Sequence, residues 1–161
     1  YWRDNRLNMI HEGTHGIHAL DLLGRKVLME EGRGLQLLAG RMTSTIARAQ
    51  KQVELAPYAA QLAQALQQVG TTTKAAWSTG QPGEALANAV PYLQAFGHTV
   101  LAWIWLEVAL AAKPDSQDMA QRGRLLATQF FFRYELPKIG AWLKVVESRD
   151  MTCAEFPEEA F

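Results

Sequence analysis

The densest potential chemistry in the chain lies at residues 11–18, His-Glu-Gly-Thr-His-Gly-Ile-His. His11, Glu12 and His15 spell the His-Glu-x-x-His pattern, in which two histidines one helical turn apart bind zinc and the glutamate activates a water. Asp21 stands where one variant of the extended motif places a third ligand. That pattern needs a formed helix through all five positions. Gly13 sits in its middle, at a cost of about 1 kcal/mol relative to alanine, and β-branched Thr14 follows. The longer motif also expects glycine where His18 stands. Zincins hold this helix beneath a sheet, and no strand-like alternation of useful length occurs here. The residues therefore favour a site without metal.

A second reading starts the helix at Thr14, as its N-cap, with Gly13 supplying the turn before it. Glu12 then lies on a loop at the positive end of a helix, beside a glycine that admits close approach of another molecule. Roofed by apolar surface, such a carboxylate can act as a general base. Burial would raise its pKa, and the helix end would lower it. Its own backbone N–H would face a substrate oxygen gaining charge. A solvated loop glutamate is the plainer alternative. For His15 and His18 the plain reading is partly exposed polar residues; for His98, amid Phe96, Thr99 and Val100, it is a core histidine satisfied by a hydrogen bond.

The elements that must position these residues are helical throughout. Apolar residues recur at spacings of three and four in Ile17, Leu20, Leu23 and Val27, and the pattern fades at Glu30 to Gly34. The next stripe, Leu35, Leu38, Met42, Ile46, Ala49 and Val53, is expected to stop at Pro57. Another runs Tyr58, Leu62, Leu66, Val69, Thr73 and Trp77, up to the loop Gly80-Gln81-Pro82-Gly83. Residues 84–112 form one long segment with a kink expected at Pro91, apolar on most faces beyond Val100, as suits the central helix of a bundle. Pro114-Asp115 opens a segment with Met119, Leu126, Phe130 and Arg133. Pro137 opens the last, around Ile139, Trp142 and Val146, before an irregular tail from Arg149. The expected fold is all-α, an up-and-down helical bundle.

Bulk composition narrows the function. The 161 residues suffice for one ordinary core, with 48% hydrophobic and 20% charged residues. Sixteen basic side chains balance sixteen acidic ones, which gives no case for nucleic acid as a partner. The lone Cys153 fits a reducing compartment, and the expected location is cytoplasmic, with peripheral membrane contact left open. The stretch from Val100 to Ala112 is too short to span a bilayer, and no secretion leader precedes the chain. Between Leu55 and Ala112 the only charges are Lys74, Glu84 and Glu107. A surface that uncharged suits packing against other protein, or a solvated Ala/Gln helix. Because Tyr1-Trp2-Arg3-Asp4 begins inside an ordered element, the chain is read as the trailing piece of a longer one.

Residues 1–27, YWRDNRLNMIHEGTHGIHALDLLGRKV, closely resemble the C-terminal region of the flavin-dependent acyl-CoA dehydrogenases. In that family an Arg-Asp-x-Arg stretch leads into Tyr-Glu-Gly-Thr-x-x-Ile-Gln. The Leu-Leu-Gly-Arg-Lys-Val continuation is most similar to the long bacterial members with an extra C-terminal helical domain, as is the Pro-Glu-Glu-Ala-Phe tail. The resemblance implies that Glu12 removes the α-proton of an acyl-CoA thioester, with hydride passing from the β-carbon to FAD. Gly13 would line the substrate, and Thr14, His15 and Gly16 would lie against the FAD. It further implies fatty acid β-oxidation, electron-transfer flavoprotein as acceptor and a homo-oligomer in the full-length protein. Residues 1–30 would end the catalytic helical domain, and 31–161 would form an accessory bundle. The family's other FAD-binding domains would lie upstream, so the 161 residues alone are expected to hold no flavin and to be inactive. The departures are histidines: His11 for the usual tyrosine, His15 where small or amide residues are common, His18 for the usual glutamine. Two competing functions remain, a zinc hydrolase on His11, Glu12 and His15, and a non-catalytic helical interaction module.

Overall fold

The computed structural model describes residues 2–9, 14–112 and 118–160. Among them there are helices and no strand, an all-α bundle as expected. A short α1 (Trp2–Asn5) runs into a 3-10 turn (Arg6–Met9). α2 (Thr14–Asp21) passes into a π-helical turn (Leu22–Lys26) and then α3 (Met29–Ala49). α4 (Ala56–Ala76), the one-turn α5 (Pro82–Leu86) and α6 (Ala89–Ala111) follow. α7 (Met119–Phe130) continues through a second π turn (Phe131–Glu135) and a 3-10 turn (Leu136–Lys138) into α8 (Ile139–Ser148).

α6 is the centre. It packs against α2, α3, α4, α7 and α8, and by length and composition alone it could cross a bilayer. Its buried line is Ala89, Tyr92, Ala95, Thr99, Ala102, Leu106 and Ala109, at helical spacing. The small side chains let neighbours approach closely, while Tyr92 and Leu106 fill the remaining space. α4 answers with Ala59, Leu62, Ala65 and Val69, α8 with Ile139, Leu143 and Val146, and α3 with Met42, Ile46 and Ala49.

Polar groups taken into this core are paired. Tyr92 Oη lies 2.6 Å from Thr73 Oγ1, which also reaches Val69 O at 2.7 Å. Trp103 Nε1 donates to Thr45 Oγ1 at 2.7 Å, and Glu107 accepts from Thr45 and Arg48. Thr128 donates to Trp105 O at 3.2 Å. The C-terminal tail is tied down where Asn88 Nδ2 donates to Asp150 O at 2.9 Å and Arg149 to Ala75 O at 3.3 Å.

Four expectations change. Pro91 does not kink a long helix: the break comes at residues 87–88, and Pro91 falls in the first turn of α6, where a missing N–H costs no intrahelical bond. α3 ends at Ala49 rather than continuing to Val53, which is 85% exposed. Turns bonded from Gln52 N to Ala49 O and from Leu55 N to Gln52 O close that end, and Pro57 opens α4 instead of stopping α3. In α2, Ile17 is 68% exposed, Leu20 also faces out, and Ala19 joins Leu23 and Val27 inside. In α7, Met119 (74% exposed), Leu126 (64%) and Phe130 (53%) point outward, whereas Thr128, Phe131 and Phe132 are buried. Thr128, Phe131 and Phe132 stand three and four residues apart and so share one helical face, and that face, rather than the Leu126 and Phe130 stripe, meets the core. The described part of α7 is capped by Asp118, which accepts from Ala120 N at 2.9 Å; Pro114 and Asp115 lie outside the described residues.

Candidate functional site

The site expected at the second helix divides in two. His11, Glu12 and Gly13 lie outside the described residues, so the candidate base, the candidate substrate contact and two of the three residues of the zinc spelling have no described placement. Thr14, His15 and Gly16 form the first turn of α2. Thr14, expected as the N-cap, is itself helical.

What the structure shows is how that turn is held. α2 lies on α6 through Ala19, and Leu23 and Val27 extend the contact beyond it. The Leu-Leu-Gly-Arg-Lys stretch that carried the resemblance is the π turn, and most of its residues have a physical task. Leu23 is fully buried, and its carbonyl receives Trp77 Nε1 at 3.2 Å from the end of α4. Gly24 lies under α5: a Cβ there would stand 3.3 Å from Leu86 Cδ2. Arg25 Nε donates to Asp21 at 2.5 Å, and that hydrogen bond holds the Asp21 carboxyl below its ordinary pKa. The pair is exposed, so its worth is small. It staples α2 to the π turn.

Among the described residues, the front of this platform is open. Thr14 and Gly16 are half-buried and His15 and His18 exposed. Nothing among the described residues, beyond the helix's own backbone, lies within 4 Å of where a Cβ on Gly16 would stand. This turn, among the described residues, presents a hydroxyl, an imidazole and a glycine at the start of α2. Among the described residues no three His, Cys, Asp or Glu side chains group as a metal site.

His98, expected in the core, is instead half-buried at its edge, though it does find a hydrogen-bond partner. Its Nδ1 is 3.0 Å from Gln94 O, its ring packs against Phe131 and Trp142, and Nε2 is 3.5 Å from Glu135. Lys138 first, and His98 after it, hold the Glu135 carboxyl below its ordinary range. This cluster pins α6 to the α7–α8 corner and touches no open site.

Sequence reasoning missed a cavity of about 530 Å³ between the first π turn, the start of α3 and Phe96 of α6. Its existence depends on Glu30, Glu31 and Gly32, which adopt left-handed backbone angles (φ +48, +55 and +81°) and turn α3 back across Val27. The Glu-Glu-Gly-Arg-Gly run signalled a break there, but nothing in it signalled a cavity.

The profile of the family described as acetyl-CoA dehydrogenase C-terminal like matches residues 38–157. A 3-methylmercaptopropionyl-CoA dehydrogenase of Ruegeria pomeroyi is 32% identical over 76% of this chain and 21% of its own length. A butyryl-CoA dehydrogenase of Syntrophomonas wolfei is 24% identical over 99% of the chain and 28% of its own. A broad-specificity linear acyl-CoA dehydrogenase of Mycobacterium tuberculosis is 26% identical over the whole chain and 29% of its own length. The chain thus spans under a third of the curated relatives it matches.

Proposed function

The chain belongs to the acetyl-CoA dehydrogenase C-terminal like family, and on that premise we propose that it is the C-terminal part of an FAD-dependent acyl-CoA dehydrogenase that supplies the catalytic base. The observation that carries the proposal is the continuity of two matches. In sequence Glu12 and Gly13 directly precede Thr14, the first residue of α2, and α2 shares one hydrophobic core with the region matched by the family profile.

Glu12 takes the proton from the α-carbon of an acyl-CoA thioester, and its backbone N–H polarises the thioester carbonyl. Gly13, without a side chain, lets the acyl chain pass close to the backbone. Thr14, His15 and Gly16 hold FAD at the open first turn of α2. The flavin, when bound, accepts the hydride leaving the β-carbon. Residues 1–30 complete the catalytic helical domain and 31–161 form the accessory bundle, the boundary falling at the left-handed turn Glu30–Gly32. The whole protein is an oligomer that passes electrons to electron-transfer flavoprotein. The 161 residues alone hold no flavin, and a yellow, stoichiometrically loaded preparation of them contradicts that part.

The test uses the natural polypeptide that contains these residues. Glu12→Gln keeps shape and hydrogen bonding but removes the base. Flavin absorbance is retained, and exchange of the α-proton with deuterated water falls to background. Turnover surviving in this variant rejects Glu12 as the base.

A further inference from the structure

The cavity beside the first π turn has a division of character that points to a ligand. Its inner wall is apolar, made by buried Val27 and half-buried Leu22, Leu35, Leu38 and Phe96. Its mouth carries Lys26 and Arg33 against one carboxylate, Glu30, which Arg33 already meets at 3.3 Å. Among the described residues Lys26 forms no ion pair. Asp21, the acid its charge influences, is occupied by Arg25. A volume of about 530 Å³ is that of a small-molecule site.

The backbone adds an independent observation. Glu30 and Glu31 hold left-handed angles that cost a non-glycine residue, and Glu30 itself lines the cavity. Strain of this kind collects at ligand clamps and switch segments, where the surrounding structure maintains it. Here it brings Arg33, Leu35 and Leu38 round to face Lys26 and Phe96.

We propose that this cavity binds a small anionic amphiphile, with its apolar tail against Val27, Leu38 and Phe96 and its anionic head at Lys26. A neutral amphiphile gains only the tail contact. A cationic one meets Lys26 and Arg33 unfavourably. The site is distinct from the first turn of α2, and it stands whether or not Glu12 is a catalytic base.

The experiment follows methyl resonances of Met29, Leu35 and Leu38 in the natural polypeptide during titration with decanoate, decanol and decyltrimethylammonium. Decanoate should shift them saturably, decanol should bind about fivefold more weakly, and the cation more weakly still. Lys26→Gln should reduce decanoate to the level of decanol and leave decanol unchanged. Leu37→Asp, at a position 63% exposed and so safe for folding, should weaken both. Added salt should narrow the gap between decanoate and decanol. Unsaturable shifts, equal affinity for decanoate and decanol, or a Lys26→Gln variant that binds decanoate unchanged each overturn the proposal.

Discussion

Replacing Tyr92 by phenylalanine should make the protein less stable at neutral pH and more stable than the parent at high pH. Tyr92 is fully buried on the core face of α6, and its hydroxyl lies 2.6 Å from Thr73 Oγ1. Thr73 has one hydroxyl proton, and with Val69 O at 2.7 Å accepting it, Tyr92 is the donor to Thr73. Loss of that hydrogen bond costs about 1 kcal/mol in the phenylalanine variant. Burial pushes the phenol up to about 12, and Thr73, able to turn and donate to a phenolate, draws it back in part. In the unfolded chain the phenol has its ordinary pKa near 10. A raised folded pKa stabilises the fold fully below the unfolded value, and that stability is lost as pH rises from about 10 to about 12. A gap of about two units corresponds to roughly 2.7 kcal/mol. Net of the hydrogen bond, the variant should therefore overtake the parent by about 1–2 kcal/mol near pH 12. Urea unfolding followed by far-ultraviolet circular dichroism, on both proteins at pH 8, 10, 11 and 12, reads this directly. Titration of every other lysine and tyrosine cancels in the difference. A difference that stays constant from pH 8 to pH 12 refutes the argument.

Two further substitutions probe the fold. Glu31→Asn replaces an exposed residue with one that accepts left-handed angles at less cost, so it should raise stability by about 0.5–1 kcal/mol. That corresponds to roughly 1–4 °C in the thermal midpoint of a chain this size, and a lowered midpoint would show the turn is unstrained. Phe132→Ala should cost about 3–5 kcal/mol in urea unfolding, because Phe132 is wholly buried and packs at a tilt against Tyr58, ring centroids 5.0 Å apart. A cost under 1 kcal/mol would mean the α7–α8 corner collapses around the gap.

The helical class and the central place of α6 were readable because alanine, leucine and valine repeat at helical spacing and few charges interrupt them. Periodicity failed where two stripes competed. Leu126 and Phe130 lie on one regular stripe, and Thr128, Phe131 and Phe132 lie on another at the same spacing, so spacing alone did not say which one faces the core. Pro91 misled because a proline in the first turn and one in the middle of a helix look the same until the start of the helix is known. The candidate base was readable only through its neighbours: Glu12 alone is an ordinary loop glutamate, and Glu-Gly-Thr followed by Leu-Leu-Gly-Arg-Lys makes it specific. The amphiphile cavity was illegible because Lys26 and Phe96 meet only through a left-handed turn and a distant helix.

The alanines of α6 also decide which substitutions the molecule can absorb. Ala95, Ala102 and Ala109 recur every seven residues, each nearly or wholly without solvent contact. A side chain that small leaves little cavity when trimmed, whereas one added branch has no space to enter. Along this line enlargement is the greater hazard, since trimming to glycine leaves almost no cavity and costs only the helix propensity of alanine, about 1 kcal/mol. Random mutation will therefore damage the bundle mainly by prising its helices apart, and second-site reversions should appear as shrinking substitutions on α4 and α8, across from the swollen position.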